Sequence, residues 1–222
     1  MKGIILLLAG LGLTLTACEK KVVTDNEKLS YAIGVQYARS ILAQGVDLDG
    51  AALARGVSDQ MVKKNTIMTD DEMKAALAKS SQDKNNAALD ANKRKSESFL
   101  DAFKKSAGVK VTPSGLQYIT IQEGSGASPT INDTVVVNYK GVEVINGSEF
   151  DSSYKRNAPA AFPLKGVIPG WAEGLQLMKK GGRAKFVLPP QLGYGDRPQQ
   201  GIPANSALIF DVELLDIKHA AK

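Results

Sequence analysis

The feature that most constrains the fold is a stretch between Thr69 and Gly108 that contains neither proline nor glycine. Thr69 and Glu72 have the spacing of a capping box, so a helix is predicted to begin there. It can continue for about 38 residues, or about 57 Å at the α-helical rise per residue. The segment 79–95 is almost entirely polar, which is typical of a helix that crosses solvent between domains or frays into a linker. Because alanine, lysine, glutamine and leucine are good helix formers, we favour a continuous connecting helix over 69–107.

After Gly108 the chain changes to short apolar segments separated by glycine and proline, which marks a domain boundary and is typical of an antiparallel sheet. The last segment has one apolar face and one mixed face, so one face of the sheet is expected to be covered. A short helix that opens near Pro169 should pack on the sheet through Trp171, Leu175 and Met178. Strands are predicted over 118–122, 134–140, 183–188 and 207–217.

Ahead of the connecting helix, apolar residues recur at helical spacing from Lys28 to about Lys64, which predicts two short amphipathic helices. Asp49 is placed to cap the start of the second helix. Segments this short rarely enclose a core, since chains below about 40 residues seldom fold alone. A partner surface is therefore implied, and we expect a V-shaped homodimer formed through residues 28–68.

The N-terminus has the layout of a secretory signal. An apolar run over residues 4–15 follows a lysine and is too short to span a bilayer comfortably. The four residues from Leu15 to Cys18 read LTAC and resemble the bacterial lipobox, in which the cysteine takes a diacylglycerol and becomes the new N-terminus. We therefore expect a signal peptide over 1–17 and a flexible lipidated tether over 18–27.

Cys18 is the only cysteine in the chain, so it forms no internal disulfide and lipidation explains its presence; a cysteine present by chance is the alternative. Several acyl chains on Cys18 would anchor the protein to a membrane stably, whereas one chain alone is marginal. Glu19 follows the cysteine where known lipoproteins of the inner membrane carry aspartate. That resemblance favours a bacterial cell-envelope protein on the outer membrane, facing the periplasm.

Charge and motif content argue against several classes of function. The formal net charge is +5, and the basic residues are scattered among acidic ones without a stripe of interleaved aromatics, so nucleic acid is not an expected partner. The single histidine, His219, lies close to the C-terminus, which argues against Ser-His-Asp and Cys-His nucleophiles. The sequence lacks the motifs of zinc, calcium and dinucleotide sites, so neither a metal nor a cofactor is expected. Such an enzyme should do little acid-base chemistry.

Five sequence blocks follow one another in the C-terminal half of the chain. They are VVVNYKG at 135–141, FDSS at 150–153, GVIPGW at 166–171, LGYG at 192–195 and LIFDVEL at 208–214. Together they resemble the FKBP family of peptidyl-prolyl cis-trans isomerases, and the helical front end resembles the two-domain Mip and FkpA branch of that family. The resemblance implies an α+β fold, in which an all-α dimerisation domain and a long connecting helix precede an antiparallel half-barrel of five to six strands. This half-barrel, over 108–222, would wrap around one short helix.

The resemblance also implies an active pocket between the sheet and the short helix, with Trp171 as its floor. The backbone N–H of Ile168, just before the helix start, is expected to hold a substrate carbonyl, and the Tyr194 hydroxyl to donate a second hydrogen bond. Asp151 is either a polar wall of the pocket or a paired structural carboxylate. Each aromatic taken singly fits an ordinary core position, and only the joint pattern indicates a pocket. The residues implied for its lining are Tyr139, Phe150, Phe162, Val167, Ile168, Trp171, Tyr194, Ile202 and Phe210.

Other expectations concern the rim of this pocket. Tyr139 and Arg156 are expected to orient Asp151. Ala160 stands where many single-domain members of the family carry an aromatic residue, which leaves one side of the rim more open and leaves peptide preference and inhibitor affinity undecided. Macrolide inhibitors of the FKBP class are implied ligands.

The expected function is acceleration of X-Pro rotation in folding envelope proteins. Rotation crosses a barrier of about 18–20 kcal/mol because the amide loses resonance, and a dry aromatic pocket favours the less dipolar twisted state over the planar one. The expected partners are proline-containing unfolded or partly folded proteins, with chaperone activity from the dimeric cleft. Two alternatives remain open: a non-catalytic chaperone or binding module for unfolded chains, and a structural lipoprotein spacer.

Overall fold

The structure, a computed structural model, describes residues 21–62 and 66–219. Its contacts divide the chain into two compact units, Met1–Thr69 and Asp70–Lys222. The predicted signal peptide and the lipidation site Cys18 lie outside the described residues. Within the described part of the chain, no helix is both long enough and apolar enough to cross a bilayer.

The first unit contains two helices, α1 (Asp25–Ala43) and α2 (Gly50–Met61). Helix α1 begins three residues before the predicted start, because Thr24 and Glu27 form a capping box. The Glu27 N–H donates to Thr24 Oγ1 at 3.2 Å, and the Thr24 N–H donates to Glu27 Oε2 at 2.9 Å. These bonds satisfy two backbone donors that a helix start leaves open. The T-x-x-E signature of this cap is present in the sequence and was overlooked in the prediction.

The cap predicted for the second helix is present. Asp49 precedes α2 and accepts hydrogen bonds from the N–H groups of Ala51 at 2.8 Å and Ala52 at 2.9 Å. Among the described residues of this unit, Asp59 is the only buried side chain, and Arg55 lies 3.8 Å from its carboxylate. The two helices therefore form without an apolar core of their own.

The second unit begins with α3 (Asp70–Phe103), one continuous helix of 34 residues. It ends four residues before the predicted end, since residues 104–107 form turns that lead to Gly108 at φ 77°. The C-terminal part of α3 contacts the sheet domain: Ser96 is fully buried, and the Gln117 side-chain amide donates to the Leu100 carbonyl at 3.1 Å. The C-terminal part of α3 thus packs on the sheet domain to which it leads.

Seven strands form one antiparallel sheet in the described residues, in the order β1-β2-β6-β7-β3-β4, with β5 also paired to β3. The α+β architecture is confirmed. The count exceeds the expected five to six because β1 has only two residues and because two short strands share one edge of β3. The strands are β1 (Lys110–Val111), β2 (Gln117–Gln122), β3 (Thr134–Glu143), β4 (Glu149–Ser152), β5 (Ala160–Pro163), β6 (Arg183–Leu188) and β7 (Leu208–Lys218).

Helix α4 (Pro169–Gln176) covers one face of the sheet. Trp171 and Leu175 on this helix, and Met178 just beyond it, are buried as predicted. Gly174 permits the close approach: a Cβ there would lie 2.9 Å from the ring of Phe186 on β6. The helix therefore sits directly on the central strands, and its N-terminal end opens into the pocket.

Candidate active site

A pocket of about 290 Å³ lies where α4 meets the sheet. Its walls come from β3, β4, β5 and β7, from the segment that leads into α4, and from the connection between β6 and β7. The lining residues are Tyr139, Asp151, Phe162, Gly166, Val167, Ile168, Trp171, Tyr194 and Phe210. Most of this surface is apolar, and a small number of polar groups converge on it.

The floor is a cluster of aromatic rings around Trp171, which is 4% exposed. The rings of Tyr139, Phe162 and Phe210 have centroids 5.0, 5.4 and 5.1 Å from that of Trp171, at interplanar angles of 88°, 88° and 75°. Such edge-to-face contacts are worth about 0.5–1.5 kcal/mol each beyond the buried area and favour one orientation of each ring. The indole N–H of Trp171 is buried and has no hydrogen-bond partner among the described residues.

The polar side of the pocket is a cluster of Tyr139, Asp151 and Arg156. The Tyr139 hydroxyl and the Arg156 guanidinium each donate a hydrogen bond to the Asp151 carboxylate. Arg156 also donates from Nη2 to the Tyr139 oxygen at 2.8 Å, and the Ser152 N–H donates to Asp151 Oδ1 at 2.8 Å. The carboxylate is therefore held in one orientation from three sides.

These contacts shift the protonation equilibria of the cluster. Burial acts to raise the pKa of Asp151, but the hydrogen bonds from Tyr139 and Arg156 outweigh it, and the pKa lies below the ordinary aspartate value. The pKa of Tyr139 is raised, first by burial and then by its hydrogen bond to Asp151. At neutral pH the pocket thus presents an aspartate anion, a neutral phenol and a guanidinium cation.

Two hydrogen-bond donors lie on other sides of the pocket. Ile168 is held in an extended conformation (φ −59°, ψ 148°), as expected for a residue before proline. Its carbonyl accepts from the N–H groups of Trp171 and Ala172, whereas its own N–H has no acceptor within the part of the chain that the structure describes. Tyr194 is 37% exposed. Burial, followed by the charge of Asp151, raises its pKa, so the hydroxyl keeps its proton.

The structure brings most of the predicted residues to one pocket and sets three of them beside it. Phe150 is partly buried, with its ring centroid 5.6 Å from that of the lining residue Phe210, and Arg156 reaches the site through Asp151. Ile202 is buried at 5% exposure in the adjoining core. Gly166 lines the pocket and was not predicted to, although it opens the GVIPGW block that marks this segment.

The geometry suits an apolar ring flanked by a peptide carbonyl. The aromatic floor can accept a ring of proline's size without water, while the free N–H of Ile168 and the Tyr194 hydroxyl can each donate to an oxygen. The lining contains no cysteine, serine or histidine that would serve as a nucleophile. The arrangement therefore favours conformational change of a bound peptide over bond cleavage.

Comparison with known proteins agrees with this geometry. Residues 126–215 match the family model of the FKBP-type peptidyl-prolyl cis-trans isomerase, and residues 26–119 match the domain amino-terminal to that isomerase. The FKBP-type peptidyl-prolyl cis-trans isomerase FkpA of Escherichia coli K12 is 42% identical over 93% of this chain and 82% of that protein. A crystal structure of E. coli FkpA matches with a TM-score of 0.69 and 41% identity, covering 90% of this chain and 100% of that one.

Two further relatives match this chain over most of both sequences. The peptidyl-prolyl cis-trans isomerase Mip of Coxiella burnetii is 42% identical over 98% of this chain and 99% of that protein. The outer membrane protein MIP of Legionella longbeachae is 41% identical over 90% of this chain and 89% of that protein. The two domains match in order and the fold agrees. The chain belongs to the FKBP-type peptidyl-prolyl cis-trans isomerase family.

Proposed function

We propose that this peptidyl-prolyl isomerase accelerates X-Pro rotation in folding proteins of the cell envelope by binding the twisted amide in the pocket above Trp171. The observation that supports this most directly is the combination of an aromatic floor with a backbone N–H, at Ile168, that has no acceptor within the described residues. A planar X-Pro amide is dipolar and prefers water, whereas the twisted amide has lost resonance. Only the difference in binding between the two states accelerates rotation, and each 1.36 kcal/mol of it gives about a tenfold increase in rate.

The polar groups have separate roles in this proposal. The Ile168 N–H binds the carbonyl that precedes the proline ring, and the Tyr194 hydroxyl donates to a second peptide oxygen. Asp151 faces the rotating amide as an oriented anion, held by Tyr139 and Arg156. The alternative, a purely structural Asp151, would make its removal costly to stability and of little consequence to rate in the folded enzyme. Macrolide inhibitors of the FKBP class would occupy the same pocket and compete with peptide.

The test is protease-coupled cis-trans exchange of an X-Pro peptide with wild type, Tyr194→Phe and Asp151→Ala. For Tyr194→Phe, loss of one hydrogen bond of about 0.5–1.5 kcal/mol predicts a two- to tenfold lower kcat/KM. Asp151→Ala should also lower kcat/KM, because it removes the anion that faces the rotating amide. Tyr154→Phe is the matched control, since Tyr154 is an exposed tyrosine outside the pocket lining. Wild-type activity in both pocket variants would overturn the proposed roles. An inactive wild type would favour the non-catalytic chaperone.

The helical unit is proposed to form a homodimer through residues 28–68. Leu29, Ile33 and Tyr37 recur at helical spacing on α1 and are 59%, 59% and 56% exposed, and Met61 on α2 is 80% exposed. A unit that leaves this much apolar surface in water is expected to bury it against a partner. In such a dimer two pockets would share one cleft, which we propose as the source of chaperone activity. The test is whether this protein slows the aggregation of an unfolded protein that contains no proline.

The anchor and location are proposed from the sequence and from one relative. The lipobox-like segment ends at Cys18, and the Legionella relative is named an outer membrane protein. We propose lipidation at Cys18 behind the signal over 1–17, with the protein on the outer membrane and facing the periplasm. Labelled fatty acid should be incorporated into wild type and not into Cys18→Ser. Incorporation into both proteins, or into neither, would contradict this assignment.

A further inference from the structure

The long helix α3 makes a set of polar contacts with the chain segment that carries Tyr194. Leu89, Asn92 and Ser96 lie one helical turn apart on α3 and face the end of the connection between β6 and β7. Ser96 is 0% exposed, although it lies on a helix that is mostly solvated. A fully buried hydroxyl on such a helix indicates a specific contact, which we call the α3 latch.

The hydroxyl of Ser96 is the centre of the α3 latch. It donates to the carbonyl of Asn205 at 2.7 Å and accepts from the N–H of Ala207 at 2.8 Å. One side chain thus satisfies two backbone groups that belong to no helix or strand, the partly buried carbonyl of Asn205 and the buried N–H of Ala207. Loss of the second bond would leave a buried polar group unpaired.

Two side-chain amides complete the α3 latch. Asn92 donates to the carbonyl of Ala204 at 2.9 Å, and Asn205 donates back to the carbonyl of Leu89 at 3.3 Å. Asn205 has φ 57°, a conformation that asparagine tolerates better than most residues. Its backbone is therefore fixed in an uncommon geometry by contacts from the helix.

From Asn205 the contacts continue to the pocket. The Asn205 N–H donates to the carbonyl of Gly195 at 2.8 Å, and the Gly195 N–H donates to the carbonyl of Pro190 at 2.8 Å. Both sides of Gly195 are held, and the residue before it is Tyr194, whose side chain lines the pocket. A short path of hydrogen bonds thus joins Ser96 on the helix to the tyrosine at the rim.

We propose that Ser96 is a positioning residue for the isomerase site, and that through the α3 latch the connecting helix holds Tyr194 in place. This rests on the proposed role of the Tyr194 hydroxyl in binding substrate. Ser96 itself does not line the pocket. Its effect is on where the Tyr194 backbone lies, and misplacement of a hydrogen-bond donor by a fraction of an ångström weakens catalysis without unfolding the domain.

The experiment uses the purified full chain with Ser96→Ala and, as control, Ser98→Ala, an exposed serine two residues away on the same helix. Ser96→Ala is expected to lower kcat/KM for an X-Pro peptide by about two- to tenfold, and by no more than Tyr194→Phe does, because it acts through Tyr194. Ser98→Ala should match wild type. The fluorescence of Trp171, the only tryptophan, should be unchanged in both, which separates a displaced rim from a disrupted floor.

A double-mutant cycle tests the route of the effect. In a Tyr194→Phe background, Ser96→Ala should cost little more, because both changes remove the same contact to substrate. If the losses of kcat/KM from Ser96→Ala and Tyr194→Phe were fully additive, the proposal would be overturned. It would also be overturned if Ser96→Ala were as active as Ser98→Ala while Tyr194→Phe was impaired. A fully active Tyr194→Phe would overturn the role of Tyr194 first. If Ser96→Ala does not fold, Asn92→Ala takes its place. This change removes one hydrogen bond of the α3 latch at a half-buried site, and the same losses of kcat/KM are expected and would be judged in the same way.

Discussion

The two units of this chain differ in what stabilises their regular structure. The sheet domain buries a continuous apolar core, in which Leu116, Phe186 and Leu214 are fully inaccessible to solvent. In the helical unit, the described residues bury no apolar side chain at all. Its helices are defined by caps at Thr24 and Asp49 and not by packing. The comparison teaches that the sheet domain has an apolar core of its own, whereas the helical unit leaves Leu29, Ile33 and Tyr37 exposed.

The largest expected effect lies in the sheet domain. Phe186→Ala removes a fully buried ring that contacts α4 at Gly174, and it should lower the free energy of unfolding of this domain by about 3–5 kcal/mol. Denaturant titration monitored by Trp171 fluorescence measures it. Leu177→Ala, at a side chain 49% exposed beside the same helix, is the control and should cost far less. If both variants lost the same free energy of unfolding, burial would not explain the cost of the Phe186 substitution.

The next effect tests the helical unit. Ile33→Asp places a charge on the stripe formed by Leu29, Ile33 and Tyr37, and should weaken self-association about 30-fold, the equivalent of about 2 kcal/mol for one buried isoleucine. Ala32→Asp adds the same charge to the same helix about 100° away and should associate more nearly as wild type does. Analytical ultracentrifugation gives both constants. A wild type that sediments as a monomer at micromolar concentration would contradict the dimer.

The smallest expected effect is a shift, to lower pH, of the point at which Asp151 is protonated. The pKa of Asp151 is lowered in the folded protein, so its contribution to stability is complete above the ordinary aspartate value, about 3.9, and is lost as the pH falls through the lower folded value. Isomerase activity that depends on the anion should therefore persist on acidification below the point where an ordinary aspartate is half protonated. Glu27 in the α1 cap also has a lowered pKa, first through the Thr24 N–H.

Side-chain NMR titration of Asp151 and Glu27 separates the two regions. Protonation of Glu27 should fray α1 without changing the pocket, while protonation of Asp151 should change the Tyr139 and Arg156 resonances. An Asp151 midpoint at or above the ordinary value would contradict the hydrogen-bonded cluster.

Local chemistry made much of the fold predictable. The Asp49 cap, the 3.6-residue spacing of α1 and the period-2 alternation of β7 each act within a few residues, so they can be read directly. The five blocks also identified the family. The start of α1 could have been predicted as well, because Thr24 and Glu27 have the same capping-box spacing as Thr69 and Glu72.

Contacts between distant parts of the chain were not predictable in this way. Phe150 and Ile202 have the same apolar character as the lining residues, and the sequence does not distinguish a place in the pocket from the place in or against the core in which the structure sets them. Ser96 looks like any polar residue on a solvated helix, yet its hydroxyl is bonded more than a hundred positions away in sequence.

By itself, the sequence determined the family, the succession of helices and four of the seven strands in the described residues, β2, β3, β6 and β7, because periodicity, caps and motif blocks are local properties of the chain. Only the tertiary structure decided which side chains line the pocket, how Asp151 is oriented, and that α3 is bonded to the segment carrying Tyr194. Those features depend on hydrogen bonds and ring contacts between residues far apart in the chain, and their partners are set by the fold as a whole.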